Sequence, residues 1–207
     1  QVPADKITVV YNWIDTEMYK NIPSRDIFRR AYGIEGKIVI LFAGILGPAQ
    51  GLSYVIEVAR RVKDLKNVVF LFVGDGTEKH SLQTMVAAYG LSNVLFQPFV
   101  SPDDYPFLLK EVDIGLLCLQ ADSHTPTIPG KFFGFAAASL PIIAFLNPES
   151  DGHRIISDAG CGYSLVPDDP EQGARLIRQI VVDRSQLDPL GARGYDYVAQ
   201  YFSKKSC

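Results

Sequence analysis

Six short apolar blocks punctuate this chain, and between them the apolar positions recur at helical spacing. Residues 37–43 (KIVILFA) and 67–73 (NVVFLFV) are continuous rather than alternating, as in strands buried on both faces of a parallel sheet. Residues 93–96, 113–119 (DIGLLCL), 141–146 and 162–166 predict four more strands. A helix is expected over residues 52–63, where Leu52, Val55, Ile56, Ala59 and Val62 share one face. Others are expected over residues 78–89, from Ser101 as N-cap with Pro102 at the first helical position, and from Pro129 at a helix start. Two more open near Pro170, with Leu176, Ile177, Ile180 and Val181 on the buried side, and over residues 188–202, with Tyr195, Val198 and Phe202 in register. Residues 1–36 read as irregular and peripheral.

Strands alternating with helices make βαβ units. The expected fold is therefore α/β: one domain built on a doubly wound, mostly parallel sheet of about six strands. Such sheets bind ligands beyond the carboxyl ends of their strands. The candidate loops are residues 44–51, 74–77, 97–101, 120–131 and 147–154.

Composition narrows the possibilities. The chain has 207 residues, 47% hydrophobic and 21% charged, which is ordinary for one globular core. A net charge of −3 gives no electrostatic case for nucleic acid as a partner. Cys118, Cys161 and Cys207 are odd in number and lack metal or redox spacing, so a reducing, cytoplasmic setting is expected. No apolar run reaches membrane-span length. The chain opens on Gln1, and we expect it to be a piece of something longer.

Familiar motifs fail on inspection. Gly74-Asp75-Gly76 lacks the third glycine of a dinucleotide fingerprint, where Lys79 stands instead, and Gly130-Lys131 lacks the remainder of a P-loop. No G-x-S-x-G elbow is present. His80, His124 and His153 are scattered and read as surface or loop residues. Two segments hold more promise. Lys131 sits in the first turn of an expected helix, where free amides and the positive dipole end attract phosphate. Loop 44–51 brings Gly44, Gly47 and Gly51 after a buried strand, either to let backbone approach a ligand or simply to make a tight turn.

Several of these segments together resemble a known family. Asn12-Trp13-Ile14-Asp15 after the apolar run 7–11, the loop ending in Gln50-Gly51, the Gly74-Asp75-Gly76 turn and residues 96–100 (FQPFV) occur in its order. So do the strand 113–119, the Pro129-Gly130-Lys131 helix and the strand from Pro141. The chain resembles the C-terminal, donor-binding domain of retaining GT-B glycosyltransferases of family 4 (glycosyl transferases group 1), one Rossmann-like half of that fold. The resemblance implies a nucleotide-diphosphate sugar as donor. Gly44, Gly47, Gln50 and Gly51 would wrap the diphosphate or sugar, and the backbone near Phe99 would hold the base. Lys131, with the amides of Gly130 and Phe132, would stabilise the leaving diphosphate, with no metal or other cofactor required. Residues 1–15 would end an interdomain connector from an acceptor-binding N-terminal domain outside this chain. Membrane contact, at the inner face, would come only through that half, and this domain alone would be inactive.

The departures are specific. Ile45 and Gln50 stand where the family commonly has Arg and Lys. Pro126 and Gly134 replace its paired glutamates, the second of which usually binds the ribose. Either another loop reads the ribose, or the donor site has decayed and the domain serves in assembly. A third reading, a GT-B epimerase, would require a carboxylate–histidine cluster that the sequence does not offer.

Overall fold

The computed structural model describes residues 3, 6, 12–23, 25–124 and 126–206. The apolar run 7–11 and most of the expected connector lie outside them. In chain order the elements are α1 (Ile27–Tyr32), β1 (Ile38–Ala43), α2 (Leu52–Arg61), β2 (Val68–Val73), α3 (Lys79–Ala88), β3 (Val94–Gln97) and α4 (Tyr105–Lys110). They continue with β4 (Ile114–Cys118), α5 (Lys131–Ala137), β5 (Ile142–Phe145), α6 (Gly152–Ala159), β6 (Gly162–Leu165), α7 (Pro170–Val182) and α8 (Leu187–Tyr201). The six strands form one sheet in the order β3-β2-β1-β4-β5-β6, parallel throughout.

The continuous apolar runs have a direct cause. Side chains alternate across a strand, and here each face of the sheet carries its own core. Val39, Leu41 and Ala43 of β1 pack with Leu108, Phe132, Phe135 and Val198 from α4, α5 and α8. Ile38, Ile40 and Phe42 pack on the other face with Val55, Leu82 and Ile177 from α2, α3 and α7. Every residue of β1, β2, β4 and β5 is buried.

Strand order reverses between β1 and β4, and the pairing there is thin. Only Ile40↔Ile114 and Leu41↔Gly115 are in register, against six pairs between β1 and β2. Phe42 and Ala43 have no partner on β4, so the two strands part at their carboxyl ends. That parting is the crevice in which a doubly wound sheet takes its ligand.

Four sequence expectations need correction. Pro129 lies outside its helix: Gly130 is the N-cap and Lys131 the first helical residue. Ser101 caps a turn, not a helix; its hydroxyl accepts the Asp104 amide at 3.1 Å, and α4 starts only at Tyr105. The last three residues of loop 147–154 are helical, because α6 opens at Gly152 to bury Ile155, Ile156 and Ala159. Residues 25–34 are not peripheral. Their helix, α1, is fastened to the body by the buried Glu111 carboxylate, which accepts the amides of Ile27, Phe28 and Arg29 at 3.1, 2.7 and 3.0 Å. Among the described residues no helix is long and apolar enough to cross a membrane.

Candidate functional site: a half-buried lysine at the strand crossover

The bend after β1 is held by the loop after β2. The Gly44 amide donates to the Val73 carbonyl at 2.9 Å, Leu46 to Asp75 at 2.8 Å, and Glu78 back to Leu46 at 2.9 Å. Gly74 (φ +151°) and Gly76 (φ +157°) permit this lacing, since a Cβ on either would run into the carbonyls of Gly44 and Leu46. The Gly74-Asp75-Gly76 turn thus serves backbone contact with the neighbouring loop.

Lys131 reaches into that bend. Built on Gly44, a Cβ would lie 2.6 Å from Lys131 Cε and 3.2 Å from Nζ. The ammonium stands 4.7 Å from the centre of the Phe42 ring and donates to Gln50 Oε1 at 3.5 Å, a long contact. Among the described residues no carboxylate pairs with it, although Lys20 and Lys79 have such partners. Burial holds its pKa below the usual lysine value, and the nearby Cys118 thiol opposes that shift only weakly. Cys118 itself is pushed up to about 12 by burial, so it is a neutral thiol. Even a half-buried cation without a counter-charge carries a desolvation cost. It becomes favourable when an anion enters.

The other candidates fall into two groups. Gly44, Gln50 and Gly130 gather around Lys131 and the start of α5. Gly47 is extended (φ −128°), with the Ile45 side chain 3.6 Å from a hypothetical Cβ. Neither Gly47 nor Gly130 is required by contacts within the chain, because the space beside Gly130 is empty to 4 Å. Gly51 is different. Its φ of +57° caps α2, its amide donates to the Pro48 carbonyl at 3.1 Å, and a Cβ there would press on Gln120. The Phe132 amide is also engaged, donating to the Pro129 carbonyl at 2.9 Å, and its side chain is buried. Phe99 stands on the loop after β3, at the same end of the sheet but toward its far edge, with 57% of its surface exposed.

The histidines do not converge. His153 lies in α6 with its ring between Ser164 Oγ at 3.0 Å and the Asn147 carbonyl at 3.2 Å, while exposed His124 meets Glu149 at 3.0 Å. Among the described residues no group of three or more His, Cys, Asp or Glu could hold a metal.

Sequence reasoning missed two neighbours of this region. A Cβ on Gly134 would be 3.7 Å from Tyr19 Oη and 3.8 Å from Tyr105 Cε1. These rings arrive from segments far away in sequence, and nothing local to residue 134 signals them.

Comparison with known proteins agrees with this architecture. Residues 24–197 match the family model described as glycosyl transferases group 1. A probable glycosyltransferase of Pseudomonas aeruginosa, WbjE, is 29% identical over 188 residues, covering 87% of this chain and 46% of that protein. The crystal structure of Anabaena HepE in complex with UDP superposes with a TM-score of 0.80 at 20% identity, over 97% of this chain and 55% of HepE. The C-terminal domain of a glycosyl transferase group 1 family protein (LpcC) from Francisella tularensis gives a TM-score of 0.75 at 22% identity, over 92% and 99%. The chain spans about half the length of the curated relatives it matches.

Proposed function

The chain belongs to the glycosyl transferases group 1 family, and from that premise we propose that it is the donor-binding half of a sugar transferase. Its donor is a nucleotide-diphosphate sugar, its partner an acceptor-binding domain beyond this chain, and its reaction proceeds with retention at the anomeric carbon. The observation that carries this reading is Lys131, a half-buried lysine whose ammonium has no carboxylate partner among the described residues and points into the glycine bend where β1 and β4 part. The UDP bound to HepE supports the ligand class.

In this reading the bond between the anomeric carbon and the diphosphate oxygen breaks while negative charge grows on the departing phosphate. Lys131 meets that charge from a half-buried position, where a preorganised donor is worth about 3–4 kcal/mol of barrier. Gly47 and Gly130 leave room for phosphate oxygens against backbone. The charge comes from this side chain and from the Gly130 and Lys131 amides, and the proposal assigns no metal to the step. Gln50 contributes a neutral hydrogen-bonding group beside the ammonium. Without its acceptor-binding partner the domain would bind donor but not turn it over.

Calorimetric titration with UDP, GDP and ADP tests the reading. One of them should saturate a single site, and Lys131→Ala should weaken it by about 1.5–3 kcal/mol, as for a charge-assisted contact. No saturable binding of any of the three would favour a domain whose donor site has decayed.

A further inference from the structure

The amino ends of β1, β2 and β3, opposite the Lys131 bend, surround a hollow of about 310 Å³. That volume lies at the small end of the range for small-molecule sites, about 300–1,000 Å³. Every charged residue lining it is a lysine: Lys37, Lys63 and Lys66. Lys37 Nζ donates to the Lys66 carbonyl at 2.7 Å, and Lys66 Nζ to the Lys63 carbonyl at 3.2 Å. Among the described residues none of the three meets a carboxylate, whereas Arg60 and Arg61 of neighbouring α2 both pair with Glu57. Positive charge is gathered here without its usual neutralisation.

An independent feature lies in the same wall. Among the polar residues lining the hollow Asn93 alone is buried, at 6% exposure. Its NH₂ donates to the Ala59 carbonyl at 2.9 Å, but Oδ1 has no partner among the described residues and is shielded from solvent. A buried acceptor left unpaired costs about 1–3 kcal/mol, so it marks a place where a donor is missing. A ligand hydroxyl wedged into the base of the hollow supplies that donor, while the ammonium groups around it call for an anion. Phosphate suits them, because lysine meets it as a point charge and needs no forked geometry. We propose that the hollow binds a small phosphate ester carrying free hydroxyls, of sugar-phosphate size, with the anion on Lys37, Lys63 and Lys66 and a hydroxyl on Asn93. The site is separate from that of the donor, since the Gly44 bend and Lys131 lie at the far end of β1. Its occupancy does not depend on the donor site.

Calorimetry with glucose 6-phosphate, inorganic phosphate and glucose provides the test. Glucose 6-phosphate should saturate one site on the native chain and bind about tenfold more tightly than inorganic phosphate, with glucose alone not binding measurably. Lys63→Gln/Lys66→Gln changes only exposed side chains, so the melting temperature should hold while glucose 6-phosphate affinity falls about tenfold or more. Asn93→Leu, checked for folding by circular dichroism, should bring glucose 6-phosphate down to the level of inorganic phosphate. Lys131→Ala should leave its binding unchanged. Equal affinity of the native chain for both phosphates would reduce the hollow to a patch that attracts any anion, and overturns the proposal. So would a lead for glucose 6-phosphate that survives Asn93→Leu, an affinity indifferent to the lysine pair, or no binding at all. Loss of binding in Lys131→Ala would move the ligand to the donor site and overturn it equally.

Discussion

Lys131 occupies the volume that a side chain on Gly44 would need, its Cε only 2.6 Å from the position of that absent Cβ. The glycine at the bend and the lysine on α5, 87 positions apart in the chain, form one device. An ammonium can lie flat against backbone at the crossover only because nothing projects from residue 44.

Lys131→Met should separate stability from binding. Methionine keeps the length and removes a half-buried charge that has no carboxylate partner among the described residues, although the contact with the Phe42 ring offsets part of the gain. We expect the free protein to gain about 1 kcal/mol, raising its melting temperature by about 2–4 °C, while nucleoside diphosphate affinity drops. A lower melting temperature would mean that the charge helps hold the fold.

The pH dependence of binding follows from the same residue. Burial lowers the Lys131 pKa in the free protein from the ordinary 10.5, and a bound diphosphate raises it again. Binding therefore takes up a proton in the window between the two values, and affinity falls as pH rises through the free protein's pKa. Stability of the free protein slopes the other way, increasing with pH toward 10.5, because the unfolded chain holds more protons there. Titrations in buffers of different ionisation enthalpy should reveal the uptake, and Lys131→Met should abolish it.

Two glycine substitutions should behave oppositely. Gly74→Ala combines φ +151° with a collision against the Gly44 carbonyl, so a loss of about 3 kcal/mol or more is expected in urea unfolding. Gly130→Ala is unstrained and meets nothing within 4 Å, so stability should hold while diphosphate binding weakens. Undiminished binding by Gly130→Ala would place the phosphates away from the start of α5.

Glu111→Ala should cost about 3 kcal/mol, since it leaves three partly buried amides of α1 without their acceptor. Glu111→Gln should cost less but still destabilise, because its NH₂ must face at least one of those N–H groups. Hydrogen exchange at residues 27–29 should quicken in both variants while the β1 and β2 amides remain protected.

How much of this could be read from the sequence depended on range. The strands were legible because a doubly buried strand needs apolar residues at every position, and β1 and β2 have them. Lys131 was legible because it stands beside Pro129-Gly130 in one short segment. Helix α1 was not, since its amides are satisfied by Glu111, more than eighty positions away. Helix α6 was hidden by its small and polar residues, although Gly160 (φ +57°) marks its end in the usual manner. The Tyr19–Gly134–Tyr105 grouping draws on three separate segments, and only folding places them together.

The thin seam between β1 and β4 has a mechanical corollary. Only two registered pairs, besides the bonds between Val39 and Asp113, join the β3-β2-β1 flank to the β4-β5-β6 flank, so strand pairing is thinnest along that line. A molecule gripping the Gly44 bend on one side and α5 on the other would act as a suture across it. Occupancy should then be felt as slower exchange of the backbone amides that join β1 to β4, deep in the body, and not merely at the surface where the ligand rests.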